Sequence, residues 1–150
     1  MIRYSSEVTI DRPPRAVYEA LLDPDRYAKW TPMTDMAFDD DGPRRVGQRG
    51  HFQMKEGPIK GRLEMEIVEL EPDRRIGFRV THPNLDWVAV NTLQPEGSGT
   101  RLTYAGELSI RGAMRLMEPF MSGEVRRGEA GEALRLKALL ESEAIPATSA

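Results

Sequence analysis

The side chains in this chain that can move a proton or orient a ligand are few and scattered. Glu124 sits in a stretch with helical periodicity. At about 100° per residue it falls between Phe120 and Gly128 on the apolar face. A carboxylate facing an apolar interior is desolvated, its pKa rises, and it can serve as an acid or a base. The alternative is that it turns to solvent or pairs with Arg126 or Arg127. His82 continues the face of Phe78 and Val80 at a strand end before Pro83, where an imidazole can bind a ligand or carry a proton, or simply be surface. His51 falls on the polar face of its strand. The two His residues have no metal-ligand spacing. Asn91 and Tyr104 can each offer one polar group to an otherwise apolar pocket, or be ordinary sheet residues.

Much chemistry is excluded. There are 150 residues and no Cys, so thiolate nucleophiles, disulfides and Cys-ligated metal sites are ruled out. There is no Walker loop, no Gly-x-Ser-x-Gly elbow and no Gly-x-Gly-x-x-Gly. Gly47-Gln48-Arg49-Gly50 is too short for a phosphate cradle. No cofactor is implied. The 21 Lys and Arg against 24 Asp and Glu give a net charge of −3, without the basic excess of nucleic-acid binders. Arg126-Arg127, Arg135 and Lys137 alternate with Glu124, Glu129 and Glu132, which reads as a solvated helix face. No apolar run approaches the about 20 residues of a membrane span. The first residues carry no apolar signal core, so a cytoplasmic protein is expected.

These residues depend on a scaffold of strands and helices. Period-two alternation marks a first strand, Tyr4 to Ile10. Asp11-Arg12-Pro13-Pro14 ends it and opens a helix to about Leu22. Asp23-Pro24 breaks that helix, and a second short one reaches Trp30. Strands follow over Met33 to Phe38, Val46 to Glu56, Ile59 to Leu70, Ile76 to His82, Leu85 to Gln94 and Thr100 to Ile110. Turns such as Gly57-Pro58 and Pro83-Asn84 separate them. In Ile59 to Leu70 the apolar register shifts at Val68, the sign of a bulge. A long helix spans Ala113 to about Glu143, with Pro119 as a kink or its true first turn. This order predicts an α+β fold, a curved antiparallel sheet of six to seven strands around the long C-terminal helix, with two short helices after the first strand. One domain covers 1–144, and 145–150 form a flexible tail.

Five segments resemble one known family in the right order. They are Ser6 to Tyr18, Asp23 to Trp30, Val68 to Ile76, Gly99 to Thr103 and Leu134 to Glu141. Together they are similar to the polyketide cyclase/dehydrase and lipid-transport family, of the START-like (SRPBCC) superfamily with its helix-grip fold. The resemblance implies an apolar cavity for a lipid, polyketide or other hydrophobic molecule. It makes Trp30 a residue that closes one end of that cavity or anchors its packing. Phe52, Met54, Met65, Phe78, Trp87, Met117, Phe120 and Met121 then face the gap between sheet and helix, as a ligand wall or a plain core. Glu124, Tyr104, Asn91 or His82 orients the ligand. Three readings follow: a binding protein for a hydrophobic or aromatic small molecule, a cyclase or dehydratase acting on such a molecule, and a non-catalytic partner module, for example a homodimer.

Overall fold

The computed structural model describes residues 1–55 and 59–143. The expected Gly57-Pro58 turn and the 145–150 tail lie outside the described residues. Strand β1 (Ile2–Ile10) leads into helices α1 (Pro14–Leu21) and α2 (Pro24–Trp30). Strands β2 (Met33–Phe38), β3 (Arg49–Met54), β4 (Gly61–Glu71), β5 (Arg75–His82), β6 (Leu85–Glu96) and β7 (Gly99–Ile110) follow. A 3₁₀ turn (Gly112–Met117) precedes the long helix α3 (Glu118–Ser142). The seven strands form one antiparallel sheet in the order β1-β7-β6-β5-β4-β3-β2, curved around α3 in the helix-grip arrangement.

Local chemistry explains the boundaries. Proline opens all three helices, where its missing N–H costs nothing. Pro13 is the N-cap of α1, and no side chain caps this helix start. Asp23 caps α2 by accepting from the Asp25 N–H at 3.0 Å. Pro119 lies in the first turn of α3, so the residues before it wind separately as the 3₁₀ turn.

Two bulges set which side chains face inward. In β4, Leu63, Met65 and Ile67 alternate into the core, and the register shift at Val68 carries the inward face on to Leu70. In β2, Met33 and Met36 both point inward although three residues apart, which strict alternation forbids. The shift lies between Thr34 and Ala37, where Asp35 adopts φ +56°.

Helix α3 packs along β1, the sheet's edge strand. Cations satisfy backbone acceptors across that junction. Arg126 Nε donates to the Arg3 carbonyl at 2.9 Å, and Lys137 Nζ to the Thr9 carbonyl at 2.6 Å. Arg12 donates to the Glu141 and Glu143 carbonyls at 3.0 and 2.8 Å, capping the helix C-terminus. The edge that would otherwise invite another strand is thereby covered.

Candidate functional site

The site lies between the concave sheet face and α3, and its foundation is an aromatic cluster. Tyr4 on β1, Tyr104 on β7, and Tyr27 and Trp30 on α2 meet edge-on or tilted, with centroids 5.2–6.2 Å apart. Tyr4 pairs in register with Gly106, and a Cβ there would collide with the Tyr4 ring. This glycine lets the phenol lie across the sheet toward β6, where the Trp87 indole N–H donates to Tyr4 Oη at 3.0 Å.

A cavity of about 160 Å³ opens beside this cluster. Tyr4, Met33, Leu85, Trp87, Leu108 and Ile110 wall it on the sheet side, and Met54 and Ile59 flank it. Helix α3 closes it with Met121, Val125, Gly128, Glu129 and Glu132. Behind it a hollow of about 20 Å³ lies among Trp30, Phe52, Met65, Phe78, Asn91 and Tyr104, and Trp87 borders both spaces.

The polar corner is a pair of carboxyl groups. Glu129 and Glu132 lie three residues apart, hence on one helix face. They are 8% and 3% exposed. Tyr104 Oη donates to Glu132 Oε1 at 3.3 Å, whereas Glu129 Oε2 is buried without a hydrogen-bond partner. Burial pushes Glu129 up to about 9, and the charge of Glu132 adds to that. Burial likewise raises Glu132 to about 7, against the pull of the Tyr104 hydrogen bond and the Arg135 charge. Two carboxyls in one dry corner retain a proton at neutral pH, as like charges side by side cannot both ionise cheaply. Burial and these two glutamates hold Tyr4, Tyr27 and Tyr104 above the ordinary phenol value, so all three stay protonated. Such a corner can give a proton, take one, or bind a donor group. Trp30 Nε1 and Asn91 Oδ1 are also buried without partners.

The structure divides the residues expected from sequence. Met54, Trp87 and Met121 line the cavity, while Trp30, Phe52, Met65, Phe78, Asn91 and Tyr104 line the hollow behind it. Met117 and Phe120 do not face the gap: they are 52% and 80% exposed. Glu124 is exposed as well, not inward. His82 lines neither space; its Nδ1 accepts from the Asn84 N–H at 3.1 Å across the β5–β6 turn. His51 pairs with Asp39 at 3.1 Å.

The error on α3 is one of phase. Taking Phe120 as inward rotates the helix by one residue, about 100°, and puts Glu124 inside and Glu129 and Glu132 outside. The true inward stripe runs Met121, Val125, Glu129, Glu132, Leu136, Leu140. Counting back from Leu140 by four, four, three and four residues finds both glutamates. The apparent regularity of the Arg/Glu alternation concealed them.

The chain belongs to the polyketide cyclase/dehydrase and lipid transport family, whose model matches residues 1–141. Among solved structures, TTHA0849 from Thermus thermophilus superposes with a TM-score of 0.76 at 15% identity, over 93% of this chain and 97% of that one. The ZhuI aromatase/cyclase from Streptomyces sp. R1128 gives 0.74 at 17% identity, over 93% of each chain. Mll3558 from Rhizobium loti gives 0.67 at 24% identity, over 91% and 94%. At such identities these likenesses show a shared fold. A search of functionally characterised proteins finds no match. No helix among the described residues is long and apolar enough to cross a membrane. Among the same residues, no three His, Asp or Glu side chains gather as a metal site would require.

Proposed function

We propose that the chain is a single-domain cytoplasmic protein that binds a small hydrophobic or aromatic molecule between its sheet and α3. The observation that carries this reading is the cavity of about 160 Å³, walled by Trp87, Leu108, Ile110 and three methionines, with one polar corner. A cavity of about 150 Å³ elsewhere takes up benzene, so the space here suits one ring or a short chain. Burying about 200 Å² of ligand at about 25 cal/mol per Å² contributes about 5 kcal/mol before the costs of association. That alone corresponds to binding no tighter than roughly the millimolar to high-micromolar range. Useful affinity therefore requires the polar corner as well.

The test is native mass spectrometry of the purified protein, followed by denaturing extraction and titration with small aromatic molecules. Gly128 lines the cavity, and a Cβ there meets nothing within 4 Å. Gly128→Leu should leave the fold intact and weaken binding at least tenfold. Failure of every aromatic probe to bind, or equal binding by Gly128→Leu, would overturn the reading.

A second reading, catalysis of the cyclase or dehydratase kind, is favoured by the carboxyl pair. Glu129 holds a proton near neutrality that it can give to a leaving hydroxyl, and Glu132 can accept one from carbon. The aromatase/cyclase name of the ZhuI structure supports it by analogy. Turnover of a hydroxylated aromatic precursor that disappears in Glu129→Gln, with binding retained, would establish it.

A further inference from the structure

We propose that the cavity selects a ligand whose apolar body ends in a protonated nitrogen, an arylalkyl- or alkylammonium ion held by Glu129 and Glu132. This rests on the reading of the cavity as a ligand site and names the class of ligand.

The polar groups at the corner are unbalanced. Two of its donors are engaged, the Trp87 indole N–H on Tyr4 Oη at 3.0 Å and the Tyr104 hydroxyl on Glu132 Oε1 at 3.3 Å, which leaves the Tyr4 hydroxyl proton as the donor on the cavity wall. Against that one hydroxyl stand the carboxyl oxygens of the pair, of which Glu129 Oε2 is buried without a partner. A carboxylate or carbonyl ligand would bring more acceptors to a corner rich in them, leaving buried groups unpaired. An alcohol brings one donor. An ammonium brings up to three donors and a positive charge.

The charge favours the same choice. The cation that acts on both glutamates, Arg135, stands on the exposed side of α3 with its Nε on the Trp30 carbonyl at 3.0 Å. The other titratable groups facing the pair are Tyr4 and Tyr104 from the sheet and Tyr27 from α2, all neutral phenols. A ligand cation meets a pair that can give up one proton and keep the other, and with one negative charge on the pair the occupied corner is neutral. A buried charge is tolerated only when paired in this way. The rest of the wall suits a cation with an apolar body: the faces of Tyr4 and Trp87 attract positive charge, and Met33, Met54 and Met121 are polarizable and adaptable.

The experiment compares three ligands of one size at pH 7: 2-phenylethylamine, 2-phenylethanol and acetophenone, which differ in offering an ammonium, a hydroxyl and an acceptor alone. Binding is followed by calorimetry and by tryptophan fluorescence. The amine should bind at least tenfold more tightly than the alcohol, and acetophenone no more tightly than the alcohol. Glu129→Gln and Glu132→Gln should each weaken the amine at least tenfold and weaken the alcohol less, so that the preference for the amine is lost. Exposed Glu124→Gln controls for attraction of cations to the acidic surface and should change nothing. Circular dichroism of each variant verifies the fold. The assignment is overturned if the alcohol or acetophenone binds as tightly as the amine, or if both Gln variants keep the amine preference. Binding of neutral probes without that preference removes the ammonium assignment alone. Absence of binding by all three removes the cavity reading together with it.

Discussion

Replacing Glu129 by Gln should make the protein more stable at pH 8, although it alters a buried polar side chain. The unfolded chain releases this proton near pH 4.5, whereas burial and the neighbouring Glu132 keep it on the folded protein up to about 9. Between those values the unfolded state binds fewer protons, so stability must fall as pH rises. The contribution is fully present below pH 4.5 and is lost progressively up to about pH 9. One proton corresponds to about 1.4 kcal/mol per pH unit, so from pH 6 to pH 8 Glu129 alone removes about 2.7 kcal/mol. Glu132, raised to about 7, acts in the same direction up to that pH in both proteins. Gln keeps the shape and cannot ionise. The fall in stability from pH 6 to pH 8 should thus be smaller in the variant by about 2.7 kcal/mol, or by roughly 5–10 °C in melting temperature for a domain of this size. Urea unfolding monitored by tryptophan fluorescence at pH 6, 7 and 8 measures it. Parallel pH dependences in the two proteins would refute the reasoning, since they would mean that Glu129 is not held protonated by burial.

Three further outcomes test the rest of the site and fold. Tyr104→Phe deletes the hydroxyl that donates to Glu132 Oε1 and should cost about 1–3 kcal/mol in denaturant unfolding at pH 7, because it leaves a buried acceptor unpaired. Gly106→Val places a Cβ against the Tyr4 ring. It should destabilise by about 1–3 kcal/mol through overpacking and abolish aromatic-probe binding; unchanged binding would show that the Tyr4 position is not needed. The phase of α3 is checked by a pair of variants. Phe120→Ser, at an 80% exposed position, should shift stability by no more than about 0.5 kcal/mol, whereas Leu136→Ala, fully buried, should cost about 2–5 kcal/mol.

The order of elements is legible in the residues alone, because the signals that set it are local. Prolines mark the helix starts, period-two alternation marks the strands, and the break in alternation at Val68 marks the β4 bulge. The family is legible for the same reason: the five segments that resemble it are short local stretches of strand, turn and helix. Trp87 and Met54 can be placed at the gap because strand alternation identifies the face each belongs to.

The rotation of α3, and with it the chemistry of the cavity, emerges only when the chain is folded. A helix bearing apolar residues on several sides, here Phe120 and Leu134 as well as Met121, Leu136 and Leu140, has no unique inward face until the sheet is laid against it. Contacts far apart in sequence choose the face. Arg126 reaches the Arg3 carbonyl and Lys137 the Thr9 carbonyl, which fixes α3 along β1. That rotation turns Glu129 and Glu132 from apparent surface residues into a buried, proton-holding pair beneath Tyr104, and sends Glu124 to solvent. Charge alternation along a sequence carries no information about which side water occupies; burial, which raises the two carboxyl pKa values, exists only once the sheet has closed over them.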